Sequence, residues 1–239
     1  MKYKTYDDIL KVKLISHTTS DEECNEFGIF EHPYGETLEE LITFCARVSN
    51  PSNQSNMETS DRLIQYMIKN KHWSPFEMVN VCLEITSTRD IVRQLLRHRS
   101  FSFQEFSQRY ADPTKELEFC IRETRMQDTK NRQNSIETDP ASTVAAMWEL
   151  SQINIINSAI NNYKWAIENG IAKEVARAIL PEGNTVSRVY VNGNIRSWIH
   201  YIEVRRKNGT QKEHMMIARE CARVISEIFP PIIKLQEKD

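Results

Sequence analysis

The sequence predicts a single α/β (α+β) domain in which helices surround a few strands. Apolar residues recur at the helical period through long segments, most clearly Ala145–Asn169 and Gln211–Phe229. Period-two alternation is confined to short runs. In the cleanest, Val79, Val81, Leu83 and Ile85 alternate with Asn80, Cys82, Glu84 and Thr86. No repeat and no composition break divides the 239 residues, a length that suffices to bury a sizeable core.

The elements follow in order. Residues 1–11 form a polar N-terminal extension expected to dock loosely, and the domain proper spans 12–232 before a polar tail at 233–239. Val12, Leu14 and Ile15 suggest a first strand, followed by an acidic, turn-rich stretch over 20–36 with Gly28, Pro33 and Gly35. Thr37 and Glu40 have the form of a capping box, and the helix they open presents Leu38, Leu41, Ile42 and Cys45 on one face. A second helix starts at Thr59 or Ser60 and points Leu63, Ile64, Met67 and Ile68 inward. After the alternating strand, Thr88–Arg99 reads as a helix burying Ile91, Val92, Leu95 and Leu96. It runs into Ser100–Tyr110, where alternation breaks the helical period and an extended, partly buried loop is expected. Residues 111–142 are polar and aperiodic, a long lid-like excursion with a short strand at Leu117–Ile121. The long helix closes at Gly170 and carries Trp148, Ile153, Ile156, Ala159, Ile160, Tyr163 and Ile167 at helical spacing. A short helix over Ala172–Leu180 carries Arg177 and stops at Pro181. A strand at Val186–Val191 precedes a helix over Asn194–Arg206 carrying Trp198, Ile199, Ile202 and Val204. The last helix ends at Pro230-Pro231.

Composition removes several classes of function. A formal net charge of −2 argues against a dedicated nucleic-acid binder, so an anion site must come from locally clustered arginines. The five scattered cysteines show no CxxC spacing, which reads as reduced thiols in a cytoplasmic compartment. No apolar run is long enough to span a bilayer, and Met1–Asp8 lacks a signal-peptide core. Neither GxGxxG nor a P-loop occurs, the six histidines form no HxH or HxxxH metal pair, and no GxSxG nucleophile motif is present. Redox or one-carbon chemistry would then require a bound organic cofactor.

Polar groups gather in four places: His72–Glu77, Arg97–Tyr110, Arg177, and Asn194 to Arg205 with Gln211 and Glu213 beyond. A helix face carrying Arg89, Arg93 and Arg97 is ordinarily just solvated. Here it delivers its arginines into a segment with Phe101, Phe103 and Phe106, and Arg is the side chain suited to planar, bidentate recognition of phosphate or imide groups. With near-neutral overall charge, this suggests a small phosphorylated ligand. Ser107, between Glu105 and Arg109, suits anion binding as well as attack, and a structural serine is the plain alternative.

Arg97-His98-Arg99, seven residues, then Ser107 resembles the RHR-x7-S signature of the flavin-dependent thymidylate synthases. The likeness extends through Ala46–Pro51, His72–Glu77, Lys130–Gln133, Ala176-Arg177 and Asn194–Arg205, covering about Val12 to Pro230. The Ser100–Phe106 version is similar to the viral branch, so the compartment is cytoplasmic, or host cytoplasm for a virus. Gln104, Gln108, His200 and Gly209 stand where members vary, and no function is assigned to Gly209.

This resemblance implies a small, mainly antiparallel sheet, a homotetramer with sites shared between subunits, and FAD as cofactor. It implies synthesis of dTMP from dUMP, with methylenetetrahydrofolate and NADPH as co-substrates and no metal. A folate-dependent dUMP hydroxymethylase on the same fold is the alternative. Position by position, Ser74, Arg97, His98, Arg99, Glu105, Asn194, Ile195, Arg196 and His200 would bind FAD, with His72 near flavin and folate. Gln94, Arg97, Glu105, Phe106, Ser107, Gln108, Arg109, Arg177 and Arg205 would bind dUMP. Arg205 would be catalytic, favouring ionisation at N3 of the uracil.

Overall fold

A computed structural model describes residues 3–20 and 37–234 of the chain. Nearly all of the acidic stretch and most of the polar tail read from the sequence lie outside the described residues. Strand β1 (Lys4–Thr5) leads into a single turn of helix, α1 (Tyr6–Ile9), and then β2 (Lys11–His17). Loose docking is corrected here: Tyr6 and Ile9 are buried in the main core, and the Tyr6 hydroxyl lies 2.7 Å from Ser87 Oγ.

Helix α2 (Leu38–Ala46) opens with the expected capping box, in which Thr37 Oγ1 accepts from the Glu40 N–H and Glu40 accepts from the Thr37 N–H, both at 3.3 Å. Helix α3 (Ser60–Lys69) buries Ile64, Met67 and Ile68. Strand β3 (Asn80–Thr88) carries the alternation, with Val81, Leu83 and Ile85 fully buried. Helix α4 (Arg89–Leu95) is shorter than the apolar pattern suggested. Beyond the turn that follows, Ser102–Glu105 is a strand, β4, where a loop was expected.

The 111–142 excursion also holds more structure than its polarity suggests: α5 (Pro113–Glu116), β5 (Cys120–Ile121), β6 (Arg125–Gln127) and β7 (Ser135–Glu137). Strand β5 pairs in parallel with β1, and β6 with β7 forms an antiparallel hairpin. Helix α6 (Thr143–Glu168) ends before Gly170, whose φ of 81° lies in the left-handed region that ends many helices. Trp148, one of the residues at helical spacing, is exposed. Helix α7 (Lys173–Ala176) continues as a 3-10 turn through Ile179. Then come β8 (Val186–Asn194), α8 (Ile195–Arg205), α9 (Lys212–Ser226) and α10 (Pro231–Lys234). Val204 on α8 faces outward. Pro231 starts a helix after the turn, because proline suits a first helical position.

The main sheet has the order β2-β3-β8-β4, and each neighbouring pair is antiparallel. Leu83 pairs with Val191 and Ile85 with Val189, so both central strands send fully buried side chains to the core. Helices α8 and α9 complete that core with Trp198, Tyr201, Ile217 and Cys221. The Trp198 indole N–H donates to the Val81 carbonyl at 3.0 Å, which ties α8 to the sheet. A smaller cluster of Phe119, Ile121, Ile156 and Tyr163 seats α6.

Candidate active site

Helix α4 organises the site, with different chemistry at its two ends. At its start, Arg89 Nη1 lies 3.1 Å from Glu105 Oε1, which also accepts from Ser187 Oγ at 2.7 Å. Glu182 takes the other side of Arg89 at 3.7 Å and is gripped by Arg93, whose Nη2 donates at 2.6 Å. That grip holds the Glu182 carboxyl below its ordinary range. Arg89, Arg93, Gln108, Arg177, Leu180 and Glu182 line a cavity of about 250 Å³. Gln108 is 4% exposed, yet its Nε2 has no acceptor among the described residues. Three arginines around an unsatisfied buried donor make a set that suits an anion.

Ser107 sits at the mouth of the next turn, where its Oγ accepts from the Arg109 N–H at 3.4 Å. Phe106 donates its N–H to the Arg188 carbonyl at 2.8 Å, prolonging the β4–β8 ladder, so that N–H is not available to a ligand. Arg109 is exposed and pairs with Glu174 at 3.4 Å.

Past the other end of α4, the chain turns through Arg97, His98 and Arg99. Arg97 and Arg99 are exposed, whereas His98 is half-buried. Arg205 Nε donates to His98 Nε2 at 3.0 Å, so the imidazole carries its proton on Nδ1. Burial, reinforced by Arg205 and His200, lowers the His98 pKa to about 4. His214 on α9 is fully buried and is lowered to about 3 by burial, with Arg205 and His98 adding to it. His214 Nδ1 lies 3.3 Å from Gln94 Oε1.

Both histidines are therefore neutral near pH 7, which sets an expected pH dependence. Between the ordinary value of 6.5 and the depressed values, the unfolded chain binds protons that the folded chain does not. Stability is fully present above about pH 6.5 and falls as the pH drops, by at most about 1.4 kcal/mol per pH unit for His214. Denaturant melts at pH 7 and pH 5 should show this loss, and His214→Leu should reduce it. An unchanged loss in the variant would contradict the assignment.

A third region is a groove of about 560 Å³ lined by Trp73, Ser100, Asn194, Arg196, His200 and Glu203, among others. Arg196 is ion-paired with Glu77 across it. Asn194 caps α8, its Oδ1 accepting from the Ser197 N–H at 2.9 Å, which leaves its amide nitrogen for a ligand. Ser74 is exposed on the same turn as Trp73 and Glu77. His72 is exposed and sets its ring edge-on to Tyr66, 5.7 Å between centroids. Ile195 lies at the first position of α8, beside Asn194 and Arg196. Its side chain is fully buried in the main core, and its N–H donates to the Val79 carbonyl at 2.9 Å, so neither faces the groove.

The sequence-read residues thus fall into an arginine cavity, a histidine–arginine cluster and a groove. Glu182, His214 and Glu77 join them without having been singled out for a role. Only Glu77 carried a local signal, its place in the polar His72–Glu77 segment.

A cavity whose lining suits an anion and a hydrogen-bonded Arg–His pair lie on one α+β domain, an arrangement of the enzyme type. Residues 33–231 match the family described as Thymidylate synthase complementing protein, Thy1, and the chain belongs to that family. It is 48% identical over 198 residues to a probable flavin-dependent thymidylate synthase of Paramecium bursaria Chlorella virus 1, covering 83% of this chain and 90% of the relative. A flavin-dependent thymidylate synthase of Synechocystis sp. is 49% identical over 207 residues, with the same coverage. The fold is similar to that of a UMP/dUMP methylase PolB from Streptomyces cacaoi bound with 5-Br dUMP. That likeness has a TM-score of 0.77 at 21% identity, over 98% of this chain and 96% of the other.

Proposed function

We propose that this chain is an FAD-dependent thymidylate synthase that makes dTMP from dUMP, with methylenetetrahydrofolate as carbon donor and NADPH as reductant. The observation that carries this reading is how the RHR-x7-S segment folds. Its first half, Arg97–Arg99, flanks the His98–Arg205 contact, and its second half contributes Gln108 to the cavity shared with Arg177. Relatives at 48–49% identity named as thymidylate synthases favour a methyl product over a hydroxymethyl one.

The residues fit the cofactor. The groove offers the Trp73 ring, the Arg196 cation, His200 and the amide nitrogen of Asn194 to a dinucleotide, and Ser74, Arg97 and Arg99 are exposed. When bound, the flavin supplies the redox chemistry. Arg177, Gln108 and Ser107 hold the nucleotide phosphate. Arg205 presents the planar donors that stabilise negative charge on the uracil as N3 ionises. Neutral His98 accepts from Arg205 and keeps it oriented. The exposed Val144, Met147, Leu150, Ile155 and Trp165 of α6 give an apolar surface that suits assembly into a homotetramer, with sites shared between subunits.

The purified protein should be yellow, and adding dUMP with the folate should oxidise its reduced flavin. A colourless protein that takes up no FAD would sink the proposal, and product mass separates methyl from hydroxymethyl. Ser107→Ala should weaken dUMP binding about tenfold and leave turnover at saturating dUMP largely intact. Loss of turnover at saturation would instead make Ser107 a nucleophile.

A further inference from the structure

Gln94 is held from two sides. Its Nε2 donates to Gln211 Oε1 at 2.7 Å, and its Oε1 faces His214 Nδ1 at 3.3 Å. Gln211 is itself held, because its Nε2 donates to Glu213 Oε2 at 3.0 Å. Glu213 is 2% exposed and anchored by Arg125 at 2.6 Å, with Arg122 at 3.9 Å. Burial pushes the Glu213 carboxyl up, but the two arginines outweigh it and hold it below its ordinary range.

One ion fixes the sense of every bond in this chain. An ionised carboxylate only accepts, so Gln211 must turn its amide nitrogen to Glu213 and its oxygen to Gln94. Gln94 must then turn its nitrogen to Gln211 and its oxygen to His214, which donates from Nδ1. The amide of Gln94 cannot flip without breaking contacts at both ends. One amide hydrogen and one lone pair remain, presented in a single order.

We propose that Gln211, polarised by Glu213, is a positioning residue that locks the amide of Gln94 in the orientation that reads the nucleotide. This rests on the reading above that dUMP is the substrate and Gln94 one of its contacts. Without Gln211, the Gln94 amide is free to flip, and the nucleotide meets the wrong order of donor and acceptor part of the time. The plain alternative is that Gln211 merely ties the start of α9 to α4.

A double-mutant cycle on dUMP affinity separates the two. The FAD-loaded enzyme is titrated with dUMP by calorimetry in wild type, Gln94→Leu, Gln211→Leu and the double variant. Each single variant is expected to bind dUMP about tenfold more weakly, and the double variant no more weakly than Gln94→Leu alone. FAD affinity and melting temperature, measured alongside, serve as folding controls. Gln211→Asn, which keeps the amide on a stem too short to span both partners, should match Gln211→Leu. Losses that multiply in the double variant, or a Gln211→Leu enzyme that binds dUMP normally, would overturn the positioning role while leaving the function intact. If Gln94→Leu binds dUMP as wild type does, Gln94 is no contact and the positioning role falls with it. Wild-type enzyme that binds FAD but no dUMP would overturn both readings at once.

Discussion

Arg205→Ala is expected to lower turnover by about 10³-fold while FAD remains bound, the upper end of what one preorganised donor to a developing oxyanion contributes. Arg205 is the last residue of α8, where a cation also suits the helix dipole. Its Nε is committed to His98 Nε2, which leaves the two terminal amino groups for a ligand. A planar fork with one edge fixed is preorganised, and the reacting nucleotide need not organise it. Removing the side chain also takes away a cation that depresses His98, so the His98 pKa should rise toward its ordinary value. Arg205→Lys separates charge from shape. Lysine restores a positive charge but not the fork, and the hydrogen bond to His98 would come from a flexible ammonium. We expect lysine to recover only a small part of the lost rate. Flavin absorbance checks that the cofactor is retained, and dUMP-dependent oxidation of reduced flavin measures the chemistry. An alanine variant with near-normal turnover, or a lysine variant with full activity, would contradict the role assigned to the guanidinium.

The elements that could be read from the sequence are those whose determinants are local. Alternation of Val81, Leu83 and Ile85 identifies β3 because both it and β8 turn one face to a single core. Thr37 and Glu40 announce α2 because a capping box closes within four residues. The N-terminal segment was misread because Tyr6 and Ile9 stand alone in a polar run, and what buries them, Ser87 among it, lies far along the chain. Strand β4 shows the same limit. Its alternation was visible, but its partner β8 arrives more than eighty residues later. The 111–142 stretch lacks periodicity because its strands are two or three residues long, and ion pairs such as Lys212–Glu137 anchor it.

The site divides in the same way. The motif names Arg97, His98 and Ser107, and the Asn194–Arg205 segment names Arg205, yet the contacts that fix them are nonlocal. Gln94 and Gln211 are 117 positions apart, and Arg205 and His98 are 107 apart. Position within a motif does not give side-chain phase, and Ile195 shows this. As the first residue of α8 it turns inward with Trp198 and Ile199, while Arg196 and His200 turn out.

Gly193→Ala should destabilise the fold by about 1–3 kcal/mol, a drop in melting temperature of about 2–12 °C for a domain of this size. Gly193 lies in β8 opposite Val81, and the Phe101 ring rests directly on its backbone. A Cβ there would stand 2.2 Å from Phe101 Cδ1 and 2.5 Å from Cε1, so the ring must move. It has little room to do so. Phe101 is 8% exposed and packs against Trp198 at 4.5 Å, Tyr201 at 5.8 Å and Phe103 at 6.1 Å between centroids. The strain reaches the site, because the Phe101 N–H donates to the His98 carbonyl at 3.2 Å and closes the turn that carries Arg97–Arg99. We therefore expect weaker flavin retention as well as a lower melting temperature, and Phe101→Leu in the same chain should recover part of both by making space. Gly183→Ala is the matched control. A Cβ there meets only Asp90 Oδ2 at 4.0 Å, so its effect should stay within about 0.5 kcal/mol. Equal losses at the two glycines, or no recovery with Phe101→Leu, would show that the contact between Phe101 and the β8 backbone does not hold the turn.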